Sequence, residues 1–376
     1  MNTNWIAAVD TWVRSIQIPP RDSRACRRAQ AFCATSLWLA AVMLAVSAAV
    51  NASEDSGSSE GGYRLGSGWR VPHTDLSIGG YGSVALTRLE DQPWTLDANH
   101  LSMFLWHDGP SRLRFFSEVE LEDGVEIQAK RATTNDHFLA VERLYGDWSQ
   151  SDALNFRAGK FLTPIGRWNV IHADPLVWTT SRPLLTERLF PTNATGGAVF
   201  GSVSGIGEGL DYTVFGSGEA EFRHNPKQDS YREAYGLHLS YALSALTRIG
   251  LSASSFETVR AEPARKNLLG FDAIWADRGY ELSAEAVYRA SARLGAAPDA
   301  KGLYLQAALP LADRLFAVGR YEYYQQPGAA PGLHLWLGGL NYRVHSAVML
   351  KAEFSRAVDN HIDAPDGFRS SIAVLF

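Results

Sequence analysis

Cysteine is nearly absent from this chain. Two occur in 376 residues, Cys26 and Cys33, so beyond them neither a disulfide-stapled domain nor a thiolate metal site can be built. Long apolar runs are missing as well: after residue 52 no stretch approaches the roughly 18 apolar residues that a membrane-spanning helix requires. Linker composition is confined to Ser53–Gly68, so nothing divides the chain into separate domains. There is no excess of positive charge either. The formal net charge is −5, which gives no reason to expect a nucleic-acid partner.

The first 52 residues differ in kind from the rest. Met1–Ser36 is irregular and carries Arg14, Arg21, Arg24, Arg27 and Arg28; Leu37–Val50 then reads LWLAAVMLAVSAAV without a charge, and small residues follow through Ala52. A basic segment, an apolar run and a small-residue site form a secretory signal peptide, expected over 1–52. As a helix the apolar run of about 14 residues would reach about 21 Å, short of the roughly 30 Å hydrocarbon core. Cys33 precedes that run, which argues against a lipid-anchored terminus. Cleavage would remove five arginines against Asp10 and Asp22 and shift the net charge from −5 to −8. Residues 53–74 are expected as a linker at the mature N-terminus and 75–376 as one β domain.

Beyond Asp75 the dominant period is two. Leu113, Phe115, Val119 and Leu121 alternate with Arg112, Arg114, Glu118 and Glu120; Leu282, Ala284, Ala286 and Tyr288 alternate with Glu281, Ser283, Glu285 and Arg289. Such alternation marks strands with one apolar and one polar face. Sixteen are expected, at 75–87, 98–108, 112–121, 137–149, 153–162, 196–205, 209–218, 234–243, 246–257, 265–276, 279–290, 301–310, 314–325, 333–343, 347–357 and 367–376. The fourth, thirteenth and fourteenth carry apolar residues on both faces. Their length suits tilted strands crossing a bilayer, and tight connections alternate with long ones. The fold class expected is all-β, a transmembrane antiparallel β-barrel of about 16 strands. Aromatics collect near strand ends, among them Trp106, Trp148, Tyr280 and Tyr323, as rings at the two membrane interfaces would.

The last strand runs from Phe368 with Ile372, Val374 and the terminal Phe376 on one face. Here the chain resembles bacterial outer-membrane porins, and the run GKFLTPIGRWN (Gly159–Asn169) is similar to a segment of the phosphate-selective porins and their general-porin relatives. The resemblance implies a Gram-negative outer-membrane location, contact with lipid and lipopolysaccharide, assembly machinery that reads Phe376, a homotrimer, and a third outer loop folded into the lumen. Phosphate selectivity itself does not follow, because the chain is acidic and its third strand presents Glu118 and Glu120 beside Arg112 and Arg114.

The long connection between the fifth and sixth strands is that third loop. It is stiffened by Pro164, Pro175, Pro183 and Pro191 and bears Trp168, Trp178 and Phe190, a composition that packs on a surface. A sixteen-strand barrel is too wide for its own side chains to fill, so its inner wall supplies one. Charges at a constriction set a field that orients permeants. The candidates on the loop are Arg167, His172, Asp174, Arg182, Glu187 and Arg188. Those on the wall are Arg112, Arg114, Glu118, Glu120, Arg157, Arg320 and Glu322. Trp168, Trp178 and Phe190 read either as loop anchors or as an aromatic track for sugars. The last outer loop carries Asp359, His361, Asp363 and Asp366, which read either as solvated charges or, through the carboxylates, as oxygen ligands for a calcium ion; no metal is expected. No G-x-S-x-G spacing occurs at Ser202 and Ser204, and no cofactor is implied. The function expected is passive diffusion of small hydrophilic solutes or ions, with a structural or plugged barrel, or an outer-membrane hydrolase, as alternatives.

Overall fold

A computed structural model of the protein describes residues 62–376 apart from 123–124, 129–130, 134–137, 172, 219–224, 226, 261–263, 292–298 and 327–330. The expected signal peptide, and the expected linker up to residue 61, lie outside the described residues. From 62 to 74 the chain is not a plain linker. Tyr63–Arg64 and Gly68–Arg70 form a small hairpin whose second strand pairs through Trp69↔Ile78 and Arg70↔Ser77 with the strand that follows.

The sheet that follows has sixteen long strands in chain order, with bounds that bear out the period-two reading. They are β1 (Leu76–Leu89), β2 (Thr95–His107), β3 (Leu113–Glu122), β4 (Phe138–Ser151), β5 (Leu154–Leu162), β6 (Asn193–Val203), β7 (Leu210–Ser217), β8 (Tyr231–Ser244), β9 (Thr247–Thr258), β10 (Lys266–Asp277), β11 (Tyr280–Ser291), β12 (Ala300–Ala312), β13 (Leu315–Gln325), β14 (Leu333–His345), β15 (Val348–Val358) and β16 (Gly367–Leu375). Each pairs antiparallel with its neighbours, and β16 pairs with β1 from Gly367↔Leu89 to Leu375↔Tyr81. The ladder therefore closes and leaves no free edge. Between β3 and β4 a further hairpin, Val125–Gln128 with Arg131–Thr133, continues the pairing of β2.

Closure sorts the two faces. Phe316, Val318, Arg320, Glu322 and Tyr324 of β13 are buried, while large apolar side chains on the opposite face of neighbouring strands, such as Leu251, Leu269, Leu305, Trp336 and Phe354, are exposed. An apolar outer belt around an interior that holds the charges inverts a soluble protein and matches a barrel set in lipid. Trp148, Tyr280 and Tyr342 are exposed near the tight turns and Tyr235, Tyr288 and Trp336 towards the long loops, giving a ring at each border of that belt.

The three strands that read as apolar on both sides have separate explanations. In β4 the register slips between Glu118↔Arg143 and Val119↔Val141, so a bulge at Glu142 sends consecutive residues, Val141 and Glu142, into buried positions. In β13 and β14 the inner face is itself partly apolar. Leu333, Leu335 and Leu337 of β14 belong to one core cluster with Ile165, Leu184, Leu185 and Leu189, all from the connection between β5 and β6. At the other end of the chain the Phe376 N–H donates to Gly80 O and the Gly80 N–H to Phe376 O, both at 2.8 Å. A Cβ at Gly80 would stand 2.2 Å from Ser102 O and 3.0 Å from the Phe376 ring, so the terminal ring and the β2 backbone both need the glycine there.

Candidate functional site

The connection from 163 to 192 leaves and rejoins the sheet at one point, pinned by its own neck. The Thr163 N–H donates to Thr192 O and the Thr163 hydroxyl to Pro191 O, both 2.8 Å, and the Asn169 amide donates to both Thr163 O and Thr192 O. Two short helices lie between, α1 (Trp168–Ile171) and α2 (Leu184–Arg188), with a 3-10 turn at Asp174–Leu176. Such pieces cannot hold themselves, because helices this short are far below the length at which propensity sustains them. Strand side chains supply what they lack.

Three buried carboxylates on three strands each accept backbone N–H groups from this connection. Glu285 of β11 receives Arg167 N–H at 3.1 Å and Trp168 N–H at 2.6 Å, which caps α1, together with the Tyr304 hydroxyl at 3.0 Å. Glu353 of β15 receives Thr180 N–H at 2.8 Å and Ser181 N–H at 2.9 Å. Glu322 of β13 receives Leu184 N–H at 2.7 Å, which caps α2. A carboxylate that accepts several N–H groups satisfies the orphan donors at the start of a helix and complements its dipole. Arg320 completes the arrangement: its Nε donates to Glu322, and its two terminal nitrogens donate to the Thr179 hydroxyl, the Ser181 carbonyl and the Ser181 hydroxyl. Asn341 of β14 donates to Trp178 O, and Lys351 of β15 to Asp174 O and Thr179 O.

Gly166 shows why the backbone takes this course. It has φ +65, and a Cβ there would come 2.2 Å from Glu285 Oε2. The glycine lets the chain turn directly against the carboxylate that holds it. Apolar packing adds to the polar ties: Leu185 and Leu189 lie over Gly302, and Trp168, Leu189 and Phe190 are buried in one cluster with Phe256, Val287 and Tyr304.

Asp174 joins the connection to β1 by accepting a hydrogen bond from the Ser83 hydroxyl. Burial alone would push its carboxyl up, but His100, Lys351, the Ser83 hydroxyl and Arg182 outweigh that and hold it below the usual carboxylate range.

Beside the connection lies a cavity of about 640 Å³. Arg182, Glu187, Arg188 and Asp174 border it from the connection; Ser83, His100, Arg289 and Arg369 are among the strand residues that border it elsewhere. None of the residues 159–166, GKFLTPIG, does so. That run supplies the neck and the glycine turn.

Of the residues singled out from the sequence, Asp174, Arg182, Glu187 and Arg188 come together at the cavity. Arg320 and Glu322 join the connection as ties. Arg167 contributes its backbone N–H to Glu285. His172 lies outside the described residues. Glu118 and Glu120 are buried in β3, paired with Arg143 and His100 respectively. Arg157 forms a two-pronged pair with Asp147 at 2.7 Å. Arg112 and Arg114 are not brought to the connection: they sit at the tight-turn end, where Arg112 meets Gln150 and Arg114 meets Asp108. Trp168 and Phe190 are buried, and Trp178 packs 5.1 Å from Phe316 under the Arg343 guanidinium. In the last outer loop Asp366 is engaged by Arg356 and the Ala357 N–H, and among the described residues no three acidic or histidine side chains gather as a metal site.

Reading from sequence missed Glu285, Glu353, Lys351 and Asn341. They alternate in the strand pattern like any inward polar residue, and their partners lie more than a hundred residues away in sequence.

No family model matches the chain. An uncharacterized protein of Aquifex aeolicus (strain VF5) is 24% identical over 355 aligned residues, covering 80% of each chain. Among solved structures, the anion-selective porin of Comamonas acidovorans superposes with a TM-score of 0.57 at 14% identity, covering 81% of this chain and 98% of its own. OmpF of Salmonella typhi, in complex with daunomycin, gives 0.56 at 13%, covering 81% and 97%. The trimer form of OmpT, an outer membrane protein of Vibrio cholerae, gives 0.56 at 11%, covering 80% and 99%. At these identities the likeness defines the fold, that of a sixteen-strand outer-membrane barrel.

Proposed function

We propose that the protein is an outer-membrane channel for passive diffusion of small hydrophilic solutes, narrowed by the 163–192 connection lying inside the barrel. The observation that carries this reading is the set of strands to which that connection is tied. It springs from β5 and β6, yet its hydrogen bonds run to inward side chains of β1, β9, β11, β13, β14, β15 and β16. Hydrogen bonds to inward side chains of strands on the far side of a closed sheet support a course through the interior.

In this reading Arg182, Glu187 and Arg188 face the solute path. The exposed apolar belt contacts lipid, with lipopolysaccharide at the outer border, and Phe376 serves the barrel-assembly machinery. A homotrimer is supported by the trimer form described for the Vibrio cholerae relative in fold. The test is the single-channel record of the purified protein in a planar bilayer. Stepwise conductance is expected, and its reversal potential across a salt gradient gives the ion preference. A folded barrel that never conducts would overturn the proposal and favour a plugged, structural or hydrolytic barrel.

A further inference from the structure

Resting on that channel reading, we infer that the permeants favoured by this pore are small aromatic carboxylates: the cavity of about 640 Å³ holds the carboxylate and an aromatic ladder leading from it toward the tight-turn end carries the ring. Two independent features support this, and Tyr81 belongs to both.

The first is charge. Arg182, Arg188, Lys266, Arg289 and Arg369 all border the cavity, and among the described residues none has a carboxylate oxygen within 4 Å. Four other inward arginines are neutralised: Arg143 by Glu118, Arg157 by Asp147, Arg248 by Asp211 and Arg320 by Glu322. Five carboxylates border the cavity as well: Asp174 is occupied by Ser83, Asp229 by the Ser230 and Arg260 N–H groups, Glu187 feels the charges of Arg182, Arg188 and Arg369, and Asp97 and Asp363 stand at its border on β2 and the last outer loop. Guanidinium groups left without a protein carboxylate are ready to bind one from a solute.

The second feature is a run of rings on the wall. Tyr81, which lines the cavity, lies 5.7 Å from Phe104; Phe104 lies 5.6 Å from Phe116, and Phe116 stacks at 5.6 Å on Tyr145. The Arg157 guanidinium bridges Tyr145 and Phe200, at 3.8 and 5.1 Å from their ring centres. The register gives the run a direction. Phe104 is two residues nearer the tight turn than Ser102, the partner of Tyr81; Phe116, Arg157 and Phe200 each step the same way or hold level. Beyond Tyr81 the rings are half-buried, and they lie on β1–β4 and β6, whereas most ties of the connection are to β9–β16. Arg143 and Arg157, paired with Glu118 and Asp147, leave the ladder close to electrically neutral. A neutral aromatic surface attracts a flat ring and gives a bare anion little to hold.

The test uses the whole protein in a planar bilayer, with benzoate and acetate as probes in a chloride background. Benzoate should reduce chloride current at a concentration about fivefold or more below that at which acetate does so, the margin expected of one or two ring contacts. Phe116→Leu and Phe104→Leu should erase that margin while leaving acetate block unchanged, and Arg188→Gln with Arg369→Gln should weaken both probes together. Equal block by benzoate and acetate in a chloride-conducting wild type would overturn this inference alone. Absence of any chloride conductance would overturn the channel reading itself.

Discussion

Replacing Glu353 with alanine removes the acceptor for two backbone N–H groups, those of Thr180 at 2.8 Å and Ser181 at 2.9 Å. Glu353 is 4% exposed and Ser181 7%, so water reaches this spot poorly. A hydrogen bond to a charged group is worth about 1.5–3 kcal/mol, and an unsatisfied buried donor costs about as much as the bond it lost. Allowing for water admitted into the vacated space, the held position of residues 179–182 should weaken by roughly 3 kcal/mol, about a hundredfold in population. The barrel should survive, because the ladder pairs of β15 with β14 and β16 are between backbones and Glu353 adds nothing to them. Glu353→Ala is therefore expected to keep the heat-resistant mobility of a folded barrel, to show larger and noisier single-channel steps, and to become cleavable by trypsin after Arg188. Glu353→Gln should fall between, since its amide keeps one acceptor and sets a donor against the other N–H. Wild-type steps and wild-type resistance in Glu353→Ala would refute the idea that wall carboxylates hold the connection.

Three other perturbations probe separate parts of the account. Gly166→Ala puts a side chain at φ +65 and 2.2 Å from Glu285 Oε2; the left-handed backbone costs roughly 1–2 kcal/mol and Glu285 must also move, so trypsin sensitivity should rise as in Glu353→Ala, and unchanged digestion would count against the anchor. Because Asp174 titrates below its ordinary value of about 4, its contribution to seating the connection is complete above that value and disappears as pH falls through the depressed one. Conductance recorded from neutral to strongly acidic pH should show a step that Asp174→Asn abolishes, and an identical profile in the variant would exclude this group as its origin. Phe376→Ala removes the ring that Gly80 accommodates and should lower the amount of folded barrel in the membrane severalfold without changing the conductance of those molecules that assemble.

The barrel was legible in the sequence for a physical reason. One face of every strand belongs to the exposed apolar belt and the other to the interior, so composition alternates every second residue and even the turns announce themselves. The ends were harder. β2, β6 and β8 begin three residues earlier than alternation alone suggests, at Thr95, Asn193 and Tyr231, where the strand runs past the apolar belt and polarity stops reporting it. The site was legible only in outline. Length, proline and aromatic content marked 163–192 as a packed segment, and Asp174, Arg182, Glu187 and Arg188 do share one cavity. What each charge does was not legible, because Glu285, Glu322 and Glu353 read as interior charges like Glu118 and Glu120, and only distant backbone N–H groups make them ties. The aromatic track followed the same logic: Trp168 and Phe190 are spent on burial, while the connected run of rings is Tyr81, Phe104, Phe116 and Tyr145, spread over four strands.

The most direct measurement of the central claim is chemical modification of Arg188→Cys during single-channel recording, with Cys26 and Cys33 replaced by serine. Arg188 is exposed to the cavity and sits on α2. If the connection lies in the solute path, a negatively charged thiol reagent added to a conducting channel will lower its current in one step and shift its preference towards cations. Modification confirmed by mass with current and selectivity unchanged would contradict the account.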